Sequence, residues 1–310
     1  MKALFIGLGS IGTRHLINLS HACVRRGINL TVDAVRSDLS RPVQGDVHQL
    51  IENQYDEFAE LKSYDVAFIT NPTHLHARAI RLISGKANAL FIEKPIFDST
   101  DYALSDLGID EEKKIYVAAP LRWCGVMLAL KALLPRLQAF SVRAICSSYL
   151  PEWRPNTDYR LSYSGRSDMG GGVSLDLIHE WDYLVDLFGI PDQIHNFRGT
   201  YSNLGVSSDD ISVYIARYPT LIAELHLDYF GRQSRRRIEI LCSSGMVIAD
   251  FVEGTLTHPD GTIQRFDEKI NERYIREMDY FIDYIHGELS VSINSPQRAI
   301  STLRLALGVI

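Results

Sequence analysis

Apolar and polar positions along the chain fall into two successive rhythms. Between residues 2 and 120, short β-rich runs near 2–6, 30–36, 65–70, 89–92 and 114–118 alternate with helix-length amphipathic segments, the first from about Ile11 to Arg26. Strands and helices taken in turn predict a parallel sheet with helices on both faces. From about residue 139 the β-rich runs crowd together, near 139–149, 192–201, 211–218, 221–229, 236–242 and 246–252, with short turns such as "RYPTL" around Pro219. That spacing predicts a large open sheet, mainly antiparallel.

Between the first of these later strands and the rest lies "GGGVSLDLIHEWDYLVDLFG", residues 170–189. Placed on one helix over 173–188, Leu177, Trp181, Leu184, Val185 and Phe188 form a stripe that faces a core. His179, Asp182 and Asp186 fall on the opposite side, with Asp176 and Tyr183 on a flank. The segment by itself reads as a solvated acidic face carrying one histidine, or as a helix that brings an acid and a base to a substrate. Gly170 to Gly172 allow the backbone just before it to approach something closely.

The length of 310 residues exceeds what one hydrophobic core usually serves. The expected organisation is therefore α/β with two domains. A doubly wound parallel sheet occupies 1–120, and an α/β domain built on the open, mainly antiparallel sheet occupies 121–310.

A net charge of -6 argues against general attraction to nucleic acid or to an anionic membrane, which leaves small molecules as the expected partners. Four well-separated cysteines without a C-x-x-C pair suggest neither a zinc site nor a disulfide framework, and fit a reducing cytoplasm. The histidines show no metal-ligand spacing with acids or cysteines. The amino terminus does not read as a signal peptide, and no apolar stretch approaches the roughly 20 residues of a membrane span. The chain stops inside a helix beginning near Ser295, which leaves room for a short tail beyond it.

Chemistry concentrates at the strand ends of the first half. "LFIGLGSIGTRH" places Gly7, Gly9 and Gly12 at G-x-G-x-x-G spacing after a strand, with Ser10 and Ile11 opening the helix. Such glycines serve a tight turn, close approach of backbone to a pyrophosphate, and close helix–strand packing, with the anion at the helix N-terminus. The next strand ends in Arg36 and Ser37, where an acid would bind the ribose hydroxyl of NAD. Asp33 lies earlier in the strand and Asp38 after the turn. A planar guanidinium matches phosphate oxygens, so NADP is the first expectation and NAD the second. A solvated Arg36 with NAD bound otherwise is the plain alternative.

"DVAFITNPTHLHA" turns through Asn71 and Pro72 into a helix expected to be capped by Thr73 and to carry His76, and "ALFIEKP" ends a strand at Glu93, Lys94 and Pro95. Ligands of open parallel sheets bind beyond these carboxyl ends. Lys94 reads as a surface lysine, or as a partly desolvated one beside a nicotinamide that helps move the proton of an alcohol.

The glycine fingerprint, "TNPTHLHA", "EKP" and "GGGVSLDLIHEWDYL" together resemble the Gfo/Idh/MocA family of oxidoreductases over essentially the whole chain. The resemblance implies a Rossmann domain followed by an α/β domain on a large open sheet, and hydride transfer between NAD(P) and a sugar or polyol carbon. It implies that Lys94 is the lysine of the E-K-P motif and His179 the histidine of the second motif, on a helix across the crevice from the nicotinamide. The common pattern has an aspartate four residues before that histidine. Here Leu175 stands there and Asp176 stands three before, which makes Asp176 the expected helper in catalysis. A branch among sugar-processing and surface-polysaccharide enzymes is similar in the "LDL-x-HE-x-DYL" form and in "LPEWRP" and "DYR", which points to a modified sugar. Open sheet faces in the resembling family commonly pair, so a homodimer or homotetramer through the C-terminal sheet is expected.

"SYLPEWRPNTDYRLSYSGRSDMGGG" is the candidate substrate-reading segment. Trp153 suits stacking on a sugar face, Arg154, Arg160 and Arg166 suit an anionic group, and Tyr163 lies among them. A solvated loop is the plain alternative. Arg122 and Trp123, just past the last strand of the first half, are further candidates for touching nicotinamide or substrate. "GRQSRRR" reads as a solvated turn entering a strand.

The sequence thus points to an NADP-dependent oxidoreductase acting on a sugar or an anionic sugar derivative, with Lys94 and His179 as acid and base. Two alternatives stand beside it: redox-neutral elimination, hydrolysis or epimerisation with a retained cofactor, and a non-catalytic NADP-binding regulator.

Overall fold

The predicted parallel sheet forms from six strands: β1 (Lys2–Ile6), β2 (Thr31–Val35), β3 (Asn53–Tyr55), β4 (Tyr64–Ile69), β5 (Ala87–Ile92) and β6 (Lys114–Val117). Their order is β3-β2-β1-β4-β5-β6, all parallel, so the chain winds outward from β1 in both directions. In this computed structural model all residues are described except 44, 110, 111 and 310. Aromatic side chains organise the core of this sheet. Phe5 stacks on Phe68 with ring centroids 4.4 Å apart, and Phe68 lies 5.1 Å from Phe91. Helix α1 (Ser10–Arg25) and helix α2 (His76–Ile83) follow β1 and β4. A short 3-10 turn, Thr73–Leu75, precedes α2, so Thr73 sits inside that turn and the helix cap falls on Leu75.

The chain divides into two compact units, Met1–Ala118 with Tyr274–Ile300, and Ala119–Arg273 with Ser301–Ile310. The return of 274–300 to the first unit differs from the division at residue 120 expected from the strand rhythm. Its cause is the apolar face of helix α6 (Ile270–His286), whose Met278, Phe281 and Ile282 enter the same cluster as Phe5, Phe68 and Phe91. Periodicity defines such a face without saying which core it fills.

Eight strands build the sheet of the second unit: β7 (Ala139–Tyr149), β8 (Gln193–Gly199), β9 (Ile211–Arg217), β10 (Ile222–Asp228), β11 (Phe230–Cys242), β12 (Gly245–Asp250), β13 (Thr255–Thr257) and β14 (Ile263–Arg265). They run β14-β13-β12-β11-β7-β10-β9-β8 and are antiparallel except where β10 meets β7. The short strands β3, β13 and β14 carry no periodic apolar signal, because three residues at or next to a sheet edge pair with a ladder already formed. β11 begins well before residue 236, and "GRQSRRR" lies inside it, with Arg236 turned to a buried glutamate instead of to water. Helix α3 (Gly125–Leu133) leads into this sheet, and helix α7 (Pro296–Ala306) ends before the last residues of the chain.

The single helix expected over 173–188 is two: α4 (Val173–Asp176) and α5 (His179–Phe188), separated by a turn at Leu177–Ile178 where Leu177 has φ -97° and ψ 28°. Asp176 therefore closes one helix and His179 opens the next.

Asp33 in β2 is fully buried and accepts hydrogen bonds from Asn53 Nδ2 and Tyr64 Oη, each at 2.9 Å, with Lys2 Nζ 3.3 Å away. Burial pushes this carboxyl upward, but the bonds from Asn53, Tyr64 and Lys2 outweigh it and hold it below its usual range. A depressed carboxyl pKa gives stability that is present above the unfolded value of about 4 and is lost as pH falls. We expect Asp33→Asn to be less stable at pH 7 yet to lose stability less steeply between about pH 5 and 2. Urea melts at several pH values read that slope, and equal slopes in both proteins would refute it.

Candidate active site

The nucleotide end of the first unit is laced together by backbone contacts that only glycine permits. Gly7 has φ +95°, and a Cβ there would stand 2.8 Å from the Asn71 backbone. A Cβ on Gly12 would stand 2.3 Å from the Gly7 carbonyl oxygen. Thr70 Oγ1 donates to that same carbonyl at 2.6 Å. Gly9 differs, for a methyl there would meet no protein atom within 4 Å. It lies at the N-cap of α1, whose first turn holds no acid and whose N–H groups have no side-chain cap from Gly9; Ser10 is exposed. These features fit a pyrophosphate at the helix N-terminus. In the turn after β4, the buried Asn71 Oδ1 makes no hydrogen bond to protein. Pro72 follows it, exposed.

His76 is buried with Nε2 2.9 Å from the Asn71 carbonyl and Nδ1 3.2 Å from the Ile96 carbonyl. Burial lowers its pKa against the opposing pull of these carbonyls. Both ring nitrogens face backbone, so His76 braces the Asn71 turn against the segment after the E-K-P motif; the sequence had made it a cofactor ligand. Glu93 lies at the end of β5 with His15 Nε2 2.6 Å from Oε1, and its Oε2 accepts the Lys94 backbone N–H at 3.1 Å. Burial would raise Glu93, yet the His15 bond and charge, and then Lys94, hold it below its usual value. Lys94 is half-buried and followed by a cis bond to Pro95.

At the end of β2, Arg36 Nη1 donates to Gln54 Oε1 at 2.7 Å and Nη2 to the Arg41 carbonyl, while Ser37 is exposed. Asp33 is spent on its own partners, and Asp38 Oδ1 binds Ser40.

In the second unit the triple glycine packs against protein. A Cβ on Gly171 would stand 1.9 Å from the Tyr163 carbonyl oxygen, and one on Gly172, which has φ +134°, would stand 2.2 Å from Asp209 Oδ1. Asp209 Oδ2 in turn accepts from Ser174 N at 3.0 Å and from Ser174 Oγ at 2.6 Å, fixing the start of α4. Asp176, at the end of α4, accepts the Tyr229 hydroxyl at 2.5 Å. Asp176 and His179 are both half-buried.

The acidic face, for which a solvated reading was one of two, is largely withdrawn from water. Arg122 forks onto Asp182 with Nε–Oδ2 2.8 Å and Nη2–Oδ1 2.7 Å, and reaches Asp186 Oδ1 at 3.1 Å. Lys131 also binds Asp186, at 2.7 Å. Arg122 is only 3% exposed, and its fork is directed at carboxylates of α5 rather than outward to a ligand, as the sequence had suggested. Trp123 is half-buried beside it. Glu180 is fully buried, with Arg236 Nε 2.8 Å from its Oε1. Trp153 remains 39% exposed, edge-on to Tyr229 at 5.3 Å between ring centroids. Arg160 and Arg166 pair with Asp158 and Asp168, each two residues away, whereas Arg154 is exposed and Tyr163 half-buried. Sequence reading missed Tyr229, Asp209, Glu180 and Arg236. Only the place of Tyr229 directly after a strand end could have marked one of them.

The Gfo/Idh/MocA family model, an oxidoreductase family with an NAD-binding Rossmann fold, matches residues 1–114. This N-terminal region belongs to the Gfo/Idh/MocA family. Solved structures extend the likeness of fold to the whole chain. Levoglucosan dehydrogenase in complex with NADH and levoglucosan superposes with a TM-score of 0.83 at 16% identity, covering 100% of this chain and 96% of that one. The WlbA dehydrogenase from Bordetella pertussis in complex with NADH and UDP-GlcNAcA gives 0.80 at 16% identity, covering 100% and 95%. The myo-inositol 2-dehydrogenase from Lactobacillus plantarum gives 0.76 at 19% identity, covering 99% and 95%. No curated protein matches the chain by sequence. Among the described residues no helix is long and apolar enough to cross a membrane.

The family's glycine loop generates a contrast. Gly9→Ala should leave the melting temperature nearly unchanged and weaken NAD(P)H binding at least about tenfold, a loss of roughly 1.4 kcal/mol. Gly12→Ala should lower the melting temperature itself, because its methyl collides with backbone. Thermal melts and fluorescence titrations measure the two, and undiminished affinity in Gly9→Ala would exclude close approach of an anion there.

Proposed function

We propose that the protein is a sugar dehydrogenase that prefers NADP, with Lys94 and His179 moving the proton of the reacting hydroxyl. The observation that carries this reading is Lys94, held half-buried at the end of β5 by the Glu93 anchor in the same sheet as the glycine loop. The cofactor, when bound, supplies the hydride acceptor or donor. The Lys94 ammonium hydrogen-bonds the substrate oxygen, and the His179 imidazole takes its proton in oxidation and returns it in reduction. Asp176 orients that exchange. Gly7, Gly9, Ser10, Ile11 and Gly12 cradle the phosphates.

Preference for NADP follows from the chemistry at the end of β2. The strand end itself carries Arg36 and Ser37 in place of an acid, Asp33 is buried among its own partners, and Asp38 Oδ1 is bonded to Ser40. Arg36 and Ser37 would exchange their present neighbours for a 2′-phosphate. Trp153 offers the sugar an aromatic face, and the exposed Arg154 suits an anionic substituent.

The uncovered face of the eight-stranded sheet supports pairing of copies. Phe197, Ile215, Ile222 and Met246 lie on it, 74%, 49%, 41% and 42% exposed, while Tyr214, Leu225 and Ile240 on the other face are buried. Apolar surface of this kind favours a homodimer or homotetramer. The four buried thiols suit a reducing cytoplasm.

The test couples binding to turnover. NADPH should bind more tightly than NADH, and Arg36→Ala should abolish the difference. With levoglucosan, myo-inositol and UDP-N-acetylglucosamine as probes, Lys94→Met and His179→Ala should each lower kcat/KM by about 10²–10⁴-fold. Unchanged activity in both variants would overturn the enzyme reading, and stoichiometric cofactor released from the purified protein would favour redox-neutral chemistry.

A further inference from the structure

Tyr229 is fully buried and forms the single-residue link between β10 and β11, where the chain steps across the end of β7. Its backbone is held on both sides. Its N–H donates to the Asp210 carbonyl at 3.0 Å, and its carbonyl accepts the Leu150 N–H at 2.9 Å. Asp228, immediately before it, accepts the Phe230 and Gly231 N–H groups at 3.1 and 2.7 Å and so locks the turn. With the backbone so held, the side chain points at a carboxylate: the hydroxyl donates to Asp176 Oδ2 at 2.5 Å, the short end of the range for an ionised acceptor.

Burial, and after it the charge of Asp176, hold the Tyr229 phenol well above its ordinary pKa, so it stays protonated and keeps the proton it donates to Asp176. A buried phenol needs some hydrogen-bond partner, and a backbone carbonyl would serve. Here its partner is a half-buried acid that ends α4 three residues before His179. On the outer side, Trp153 stands edge-on to the Tyr229 ring, which ties the same residue to the segment with the candidate sugar-reading side chains.

We infer that Tyr229 is a positioning residue for the proton-transfer group: its hydroxyl fixes the Asp176 carboxylate in one orientation, and through Asp176 it sets how His179 or a sugar hydroxyl is met. This rests on the roles given above to Asp176 and His179. Tyr229 itself does not touch the reacting atoms.

The experiment is a double-mutant cycle of Tyr229→Phe and Asp176→Asn, with levoglucosan, myo-inositol and UDP-N-acetylglucosamine as probes and NADP or NAD as oxidant. Tyr229→Phe keeps the ring and its contact with Trp153. It should lower kcat about tenfold with KM within about twofold, the pattern of lost transition-state positioning. In the Asp176→Asn background the same change should lower kcat no further. Independently, the ring Cζ resonance of Tyr229 in ¹³C-tyrosine-labelled protein, assigned by its loss in Tyr229→Phe, should move in Asp176→Asn. Additive losses in kcat, or a resonance that stays in place, would overturn the assignment of Tyr229. No turnover of any probe by the wild type would instead overturn the dehydrogenase reading on which it rests.

Discussion

Glu93 is a carboxylate in a place that disfavours charge, and the nucleotide end of the first unit is arranged around keeping it there. Burying an ionised acid without partners costs far more than a domain's whole stability allows. His15 on α1 and the Lys94 N–H meet its two oxygens. One anchor therefore joins the helix opened by the glycine loop to the strand end that carries Lys94. The contacts around it extend the same lacing. Gly7 lies against Asn71, Thr70 bonds back to the Gly7 carbonyl, and His76 joins the Asn71 turn to Ile96. The ends of β1, β4 and β5 are thus one connected rim.

The second unit meets the same constraint along α5. Asp182 and Asp186 are neutralised by Arg122 from the turn after β6, and Glu180 by Arg236 from β11. Buried pairs of this kind add little net stability, but removal of one partner strands the other. Their effect is to fix the helix that His179 opens from two separate elements. The turn at Leu177–Ile178 leaves Asp176 on a different helix, where Tyr229 and the Asp209 cap of α4 hold the local geometry.

Most of the longer strands and α1 were legible because their signals are local, although β11 starts well before its apolar run. An apolar run of five or more residues bounded by turn residues announces a buried strand wherever it is placed, and β1, β7 and β9 begin and end within a residue of the pattern. The glycine loop was legible as a candidate site for the same reason, since a phosphate at a helix N-terminus demands small residues at fixed spacing. Short edge strands were not, because an edge pairs with whatever ladder is beside it. Nor was the break in the helix over 173–188, where the apolar stripe runs on across a turn that the Asp209 cap and the glycine packing help to define.

By itself, then, the chain's order of residues determined two α/β units, a dinucleotide loop after β1 and a set of charged residues at strand ends. Only the tertiary structure decided what those charges do. Periodicity placed Asp182 and Asp186 on a polar face, and whether that face met water depended on Arg122, 60 residues away from Asp182 in sequence. Asp176 drew its partner from 53 residues downstream, at Tyr229. A charged side chain carries its chemistry with it, but its solvation and its partner come from chain that folding brings to it, and no local pattern records that.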